Sequence, residues 1–188
     1  MPPALKQTGN ANVYNDVLDR ANQVAVTDDL NNYFGPHAPV FLATYEKIRA
    51  RRGLRRMMPA TWSWQLLFTS YTWFYYRKLW LTATLTACAM TLSSALPAMF
   101  DNALSLALTL LMCVYGKSWY VRTALNQIVK ADRLGLSGDA RRLHLMQAGG
   151  ISPLAAALAS VAMVLLLIGS NWLMLQDAYQ LLTPVGGG

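Results

Sequence analysis

The stretch ATWSWQLLFTSYTWFYYRKLWLTATLTACAM, residues 60–90, places five rings between Trp73 and Trp80, divides them with the adjacent cations Arg77 and Lys78, and then runs into an apolar segment. Those two cations decide the fold, because a polar half of the chain gives way there to an apolar one. Trp and Tyr favour a membrane–water boundary, where a ring is half wet, and Lys and Arg stems reach back to head groups from such a corner. On this reading residues 62–76 form an aromatic helix lying in or dipping into the interface, and Arg77-Lys78 is the corner where the chain turns into a bilayer.

The downstream composition agrees. Of the 188 residues 54% are hydrophobic, and they are bunched into blocks at 79–100, 103–115 and 153–175. Such bunching is a membrane pattern, unlike the amphipathic spread of a soluble domain. The blocks contain no Lys, Arg or Glu, and the nearest acid is Asp101. A helix rises about 1.5 Å per residue and the hydrocarbon core is roughly 30 Å thick, so about 20 residues cross it. The first and third blocks reach that length, and the second does so by running on through Lys117 to Trp119 and Tyr120, with the lysine snorkelling. Three transmembrane helices are expected. Pro97 and Asp101-Asn102 supply the tight turn of a hairpin between the first two, which puts Cys88 and Cys113 at similar depth.

All 16 Lys and Arg lie before Leu79 or between Lys117 and Arg142. By the positive-inside rule the N-terminus and residues 117–150 are therefore cytoplasmic and the C-terminus lies outside. Treating residues 60–76 as a fourth span would export Arg77-Lys78 and the basic segment 117–142, against the same rule. The first 20 residues lack an apolar h-region, so no cleavable signal peptide is expected. The net charge of +7 is accounted for by topology and by anionic lipid heads, without nucleic acid as a partner.

Along the chain, residues 1–32 read as a polar, loosely held cytoplasmic extension, with a short helix at 13–24 and a cap-like Thr27-Asp28-Asp29. Residues 33–78 hold cytoplasmic and interfacial helices. Residues 79–175 form the three-helix membrane domain with a cytoplasmic loop at 121–152, and 176–188 are a short tail. A helix can begin at Gly35-Pro36, Pro being favoured in a first turn, with Phe41, Tyr45 and Ile48 on one stripe until Gly53. Arg49, Arg51, Arg52, Arg55 and Arg56 form a basic cluster suited to lipid phosphates. The expected membrane-interface anchors are Trp62, Trp64, Trp73, Tyr76, Arg77, Lys78, Trp80, Trp119 and Tyr120. The second span continues to Leu134, where Gly135 offers a stop. Ser137 caps a helix through GDARRLHLMQA, Gly149-Gly150 stops it, and Ser152-Pro153 starts the third span.

Candidate chemistry is sparse. Two His and two Cys do not make a zinc pattern when His37 and His144 fall in cytoplasmic parts and Cys88 and Cys113 fall within spans. No metal and no cofactor is expected. No catalytic triad, phosphate-cradling glycine loop or paired-carboxylate site is present in the sequence, and no ionisable residue falls at mid-span depth. Small residues such as Ala156 and Ser160 recur at helical spacing, a surface on which helices approach closely.

The motifs YFGPHAPVFLATYEKI, SWQLLFTSYTWFYYRKLW, YGKSWYVRTALNQI and GGIS together resemble the bacterial membrane-protein family called domain of unknown function 2628, over roughly residues 33–170. The resemblance falls on Gly35, Trp64, Tyr76, Arg77, Lys78, Tyr120, Gly149, Gly150 and Ser152. It implies a membrane architecture and no biochemical activity. The expected fold is an all-α integral membrane protein with three transmembrane helices, a cytoplasmic N-terminal helix and an aromatic interfacial helix. The expected role is non-enzymatic: an accessory or scaffold subunit of a larger complex in the bacterial cytoplasmic (inner) membrane, in contact with anionic lipid and other membrane subunits. The alternative is a small oligomeric transporter or channel subunit.

Overall fold

The computed structural model describes residues 17–20, 22–51, 59–69, 71–93 and 96–182, and every regular element among them is helical. Helix α1, Gln23–Phe34, starts at Asn22, whose side chain accepts from the Ala25 N–H as an N-cap. A single 3-10 turn, Gly35–His37, passes the chain into α2, Ala38–Ala50. Phe41, Tyr45 and Ile48 are buried on one face of α2, the stripe expected from their spacing.

The extension behaves differently from its polar composition. Val17, Leu18, Val26, Leu30, Tyr33 and Phe34 are all buried, and Thr27-Asp28-Asp29 lies inside α1 instead of capping it. Residues 26, 30, 33 and 34 recur at helical spacing, so even a mostly polar helix buries one apolar stripe. An ion-pair knot holds α1 in place: Arg141 donates to both carboxylate oxygens of Asp29 at 2.6–3.0 Å and also to Asp132, which is paired in turn with Arg20.

Residues 59–63 run along the long helix Ala98–Arg133 and lead into two short helices, α3 (Trp64–Thr69) and α4 (Thr72–Tyr76), in place of one aromatic helix over 62–76. Helix α5 follows at Trp80–Ser93, a length of 14 residues. At about 1.5 Å per residue that is short of the roughly 30 Å hydrocarbon core. The expected first span over 79–100 is thus broken at Leu96-Pro97, where Leu96 N–H donates to Ser93 O at 2.9 Å. Pro97 opens α6, Ala98–Arg133. Asp101 and Asn102, expected in the turn, are in the first turns of α6, and Asp101 accepts from Ser93 Oγ at 2.6 Å and Ser105 Oγ at 3.2 Å.

Helix α6 ends where Gly135 takes φ +66. Leu136 N–H donates to Ala131 O and Gly135 N–H to Asp132 O, both at 3.0 Å, closing a Schellman turn. Helix α7 covers Gly138–Ala148 from Ser137, and α8 covers Pro153–Leu182 from Ser152. Two helical stretches are long and apolar enough to cross a membrane, Met99–Arg133 and Gly138–Leu166. The second includes the Gly149-Gly150 break, so its apolar length belongs to α8.

Candidate functional site

The centre of the molecule is a cluster of rings drawn from four helices. Tyr33 and Phe34 of α1, Phe41 of α2, Trp73 of α4 and Tyr120 of α6 stack with centroids 4.9 to 6.5 Å apart. These are ordinary offset and edge-to-face separations. Tyr120 is fully buried and Trp73 is 5% exposed, so these two belong to the core and not to a half-wet belt. Trp62, Trp64, Trp80 and Trp119 are exposed, and Tyr76 is half-buried.

Arg77 is inside this cluster. Expected as a snorkelling anchor, it is only 4% exposed, and its guanidinium carbon lies 4.8 Å from the Phe41 ring, 5.4 Å from Tyr76, 5.5 Å from Tyr120 and 5.8 Å from Trp73. No carboxylate pairs with it among the described residues, and its Nε and Nη1 have no hydrogen-bond partner. Burying a cation costs several kcal/mol. Each ring returns about 0.5–2 kcal/mol, so a four-ring cage goes far toward holding the charge. A ring face attracts the charge, but it does not satisfy in-plane N–H donors as an oxygen would.

Its neighbour does something else. Lys78 has φ +57, the left-handed region that L residues seldom occupy. Lys78 N–H donates to Tyr75 O and Leu79 N–H to Phe74 O, so Lys78 takes the position that glycine usually fills in a Schellman turn. Its ammonium donates to Gln147 O at 3.1 Å, a last-turn carbonyl of α7, where a cation suits the helix end. The paired cations have separate duties, one inside the cage and one fastening the corner to α7.

Close backbone approaches frame the cage. Thr61 N–H and Ser63 N–H donate to Val114 O and Cys113 O of α6 at 2.7 and 3.0 Å. Gly116 makes room for this, since a Cβ there would sit 2.3 Å from Leu66 Cδ1. Gly150 N–H donates to Tyr33 O and Ser152 N–H to Tyr76 O, each at 2.8 Å. Burial, with a lesser contribution from nearby Tyr120, pushes the Tyr33 phenol above its ordinary range.

Beside Arg77 opens a cleft of 640 Å³ whose walls include Phe41, Ser63, Trp64, Tyr76, Lys117 and Ser160. Among the described residues its lining contains Arg77, Lys117 and His37 but no Asp or Glu. Ser63 Oγ, buried and without a hydrogen-bond partner, also lines it. The sequence flagged the cation and most of the rings; it gave no sign that helices so far apart in the chain converge on them. Of the basic cluster, Arg49 and Arg51 are exposed, while Arg52, Arg55 and Arg56 lie outside the described residues. Among the described residues no group of three or more His, Cys, Asp or Glu is placed to hold a metal. Cys88 is exposed and Cys113 buried. Comparison with protein-family models, curated proteins and solved structures finds no match.

Proposed function

We propose that this chain is a non-catalytic integral membrane protein of the bacterial cytoplasmic membrane, with three membrane segments and its N-terminus inside, serving as an accessory or scaffold subunit of a larger complex. The reading rests on the contrast between the two ends of the molecule. The basic end is tightly built, with ring cluster, ion-pair knot and backbone locks all closed within the chain. The apolar helices are not: Leu81, Leu85 and Leu92 of α5, Leu104, Leu106 and Leu111 of α6, and Leu158, Val161, Leu165 and Ile168 of α8 are all exposed. A large exposed apolar surface marks a lipid or protein contact. Between α5 and α8 runs an apolar groove of 480 Å³, edged by Trp80, Ala87, Leu158 and Ala162, where small residues allow another helix to approach closely. In this reading α5 crosses as a short segment, with local thinning of the bilayer accommodating its length.

The resemblance to domain of unknown function 2628, which no family model matches, stays an expectation of membrane architecture and is silent on the subunit part. The deciding experiment is the mass of the protein extracted from native membranes in mild detergent, combined with a flux assay after reconstitution. A heteromeric complex of fixed stoichiometry is expected. A lone homo-oligomer that conducts ions or solutes would overturn the proposal and establish the transporter alternative.

A further inference from the structure

We propose that the cleft beside Arg77 is a binding site for a phosphate-bearing anion, with the phosphate held by Arg77 and Ser63. Two buried polar groups from different elements line the same cleft without partners: Nε and Nη1 of Arg77, a residue 4% exposed, and Oγ of Ser63, 2% exposed. Orphaned buried donors are rare in folded proteins, and two of them on residues that line one cleft point to a group that satisfies both.

The sign of that group follows from the lining. Among the described residues, Arg77, Lys117 and the Ser63 hydroxyl border the cleft together with Ser160, whose hydroxyl donates to Ala156 O at 2.9 Å, and no carboxylate does. Lys117 Nζ is held near by its bond to Trp62 O at 3.1 Å. Donors from three elements suit a tetrahedral oxyanion, and the guanidinium fork matches two of its oxygens.

The walls specify what the phosphate is attached to. Trp64 is 65% exposed at the rim. Ala156 and Ser160 belong to the apolar stretch that is long enough to cross a membrane. An aromatic wall running into an apolar helix fits the glycerol and upper acyl part of an anionic phospholipid. The shared chemistry with a soluble phosphate ester is the phosphate itself. The rings fix the Arg77 side chain in place, which lowers the ordering cost of binding.

The test uses the full chain, purified and stripped of lipid in a neutral detergent. Its thermal unfolding is followed while phosphatidylglycerol, phosphatidylcholine with the same chains, or inorganic phosphate is added. Phosphatidylglycerol is expected to raise the midpoint saturably and phosphatidylcholine is not. Arg77→Lys should weaken the apparent affinity about tenfold or more, the usual order for one lost charge-assisted bond. Ser63→Ala should weaken it less, and Ser160→Trp should abolish the shift by filling the cleft while keeping both cations. The last two variants carry the test should Arg77→Lys not fold. A shift from inorganic phosphate with the same variant pattern supports the site and assigns it to a soluble ester; a shift from the lipid alone assigns it to the membrane. The proposal falls if neither anion shifts the midpoint, if both lipids shift it equally, or if the shift survives Ser63→Ala and Ser160→Trp undiminished.

Discussion

The Arg77 guanidinium carbon lies 4.8 Å from the centroid of the Phe41 ring, although 36 positions separate the two residues in the chain. The contact joins the corner after α4 to the first turn of α2. A double-mutant cycle of Phe41→Leu with Arg77→Met isolates it, since leucine keeps most of the apolar bulk and methionine keeps a long stem without charge. The expected coupling is about 0.5–2 kcal/mol in favour of the pair, the range for a desolvated cation over a ring. Chemical unfolding in detergent measures it, and additivity of the two single effects would show the rings to be mere packing.

Lys78 holds a left-handed conformation at φ +57. Lys78→Gly should relieve backbone strain of about 1–2 kcal/mol while giving up the exposed bond to Gln147 O, worth about 0.5–1.5 kcal/mol. The net effect is therefore close to neutral. Lys78→Val keeps the strain and loses the bond, and should be clearly destabilising. A thermal midpoint for Lys78→Gly as low as that for Lys78→Val would mean that the ammonium, not the backbone, governs this corner.

How far these features could be read in advance depends on their range. The stop at Gly135 and the starts at Ser137 and Ser152-Pro153 are set within a few residues and were legible. So was the stripe of Phe41, Tyr45 and Ile48. The burial of α1 had a weaker signal in Val26, Leu30, Tyr33 and Phe34, masked by the acids and amides between them. The inward turn of Arg77 had none, because a charge beside aromatic residues reads as an interfacial anchor. Only convergence of α2, α4 and α6 makes it a core residue. Pro97 was legible as part of the hairpin turn, but Asp101 looks like a turn residue too until Ser93 and Ser105 are seen to bond it inside α6.

Two glycines at helix ends should respond differently to substitution. At Gly149, with an unremarkable φ of −98, a Cβ would sit 2.1 Å from Tyr33 O, a backbone atom that also accepts from Gly150 N–H. Gly149→Ala must push α7 and α1 apart and should cost about 1–3 kcal/mol as an overpacking defect, with Gly149→Asn worse. Gly135, at φ +66 with open space around it, needs only a residue that tolerates the left-handed region. Gly135→Asn should be nearly silent and Gly135→Ala should cost about 1–2 kcal/mol. Thermal midpoints of the four variants test this, and an ordering in which Asn is the milder replacement at Gly149 contradicts it.

The buried Tyr33 phenol predicts an alkaline signature. Its pKa is raised above the ordinary 10.0, chiefly by burial. A group whose folded pKa lies above its unfolded value contributes stability that is fully present below the unfolded value and is lost as pH rises through the folded one. The stability difference between the natural chain and Tyr33→Phe should therefore stay constant up to pH 10.0 and shift against the natural chain above it. A difference that already drifts at neutral pH would mean that Tyr33 is not shielded as described.

The hairpin of α5 and α6 carries the last prediction, because it distinguishes the observed pairing from a looser association of two apolar helices. Ser93 Oγ and Ser105 Oγ are 3.2 Å apart, and both contact Asp101. Hydroxyls this close on neighbouring helices put paired cysteines within reach of a disulfide, whose Cβ atoms need about 3.5–4.5 Å. In a background lacking Cys88 and Cys113, Ser93→Cys with Ser105→Cys should cross-link under mild oxidation in native membranes. A pair at Leu92 and Leu106, both exposed, should cross-link much less. Asp101→Ala should lower the yield for the Ser93–Ser105 pair, since the carboxylate that gathers both hydroxyls is gone. Equal yields for the two pairs, with or without Asp101, would mean that α5 and α6 slide past one another and that the pairing at Ser93 is not fixed.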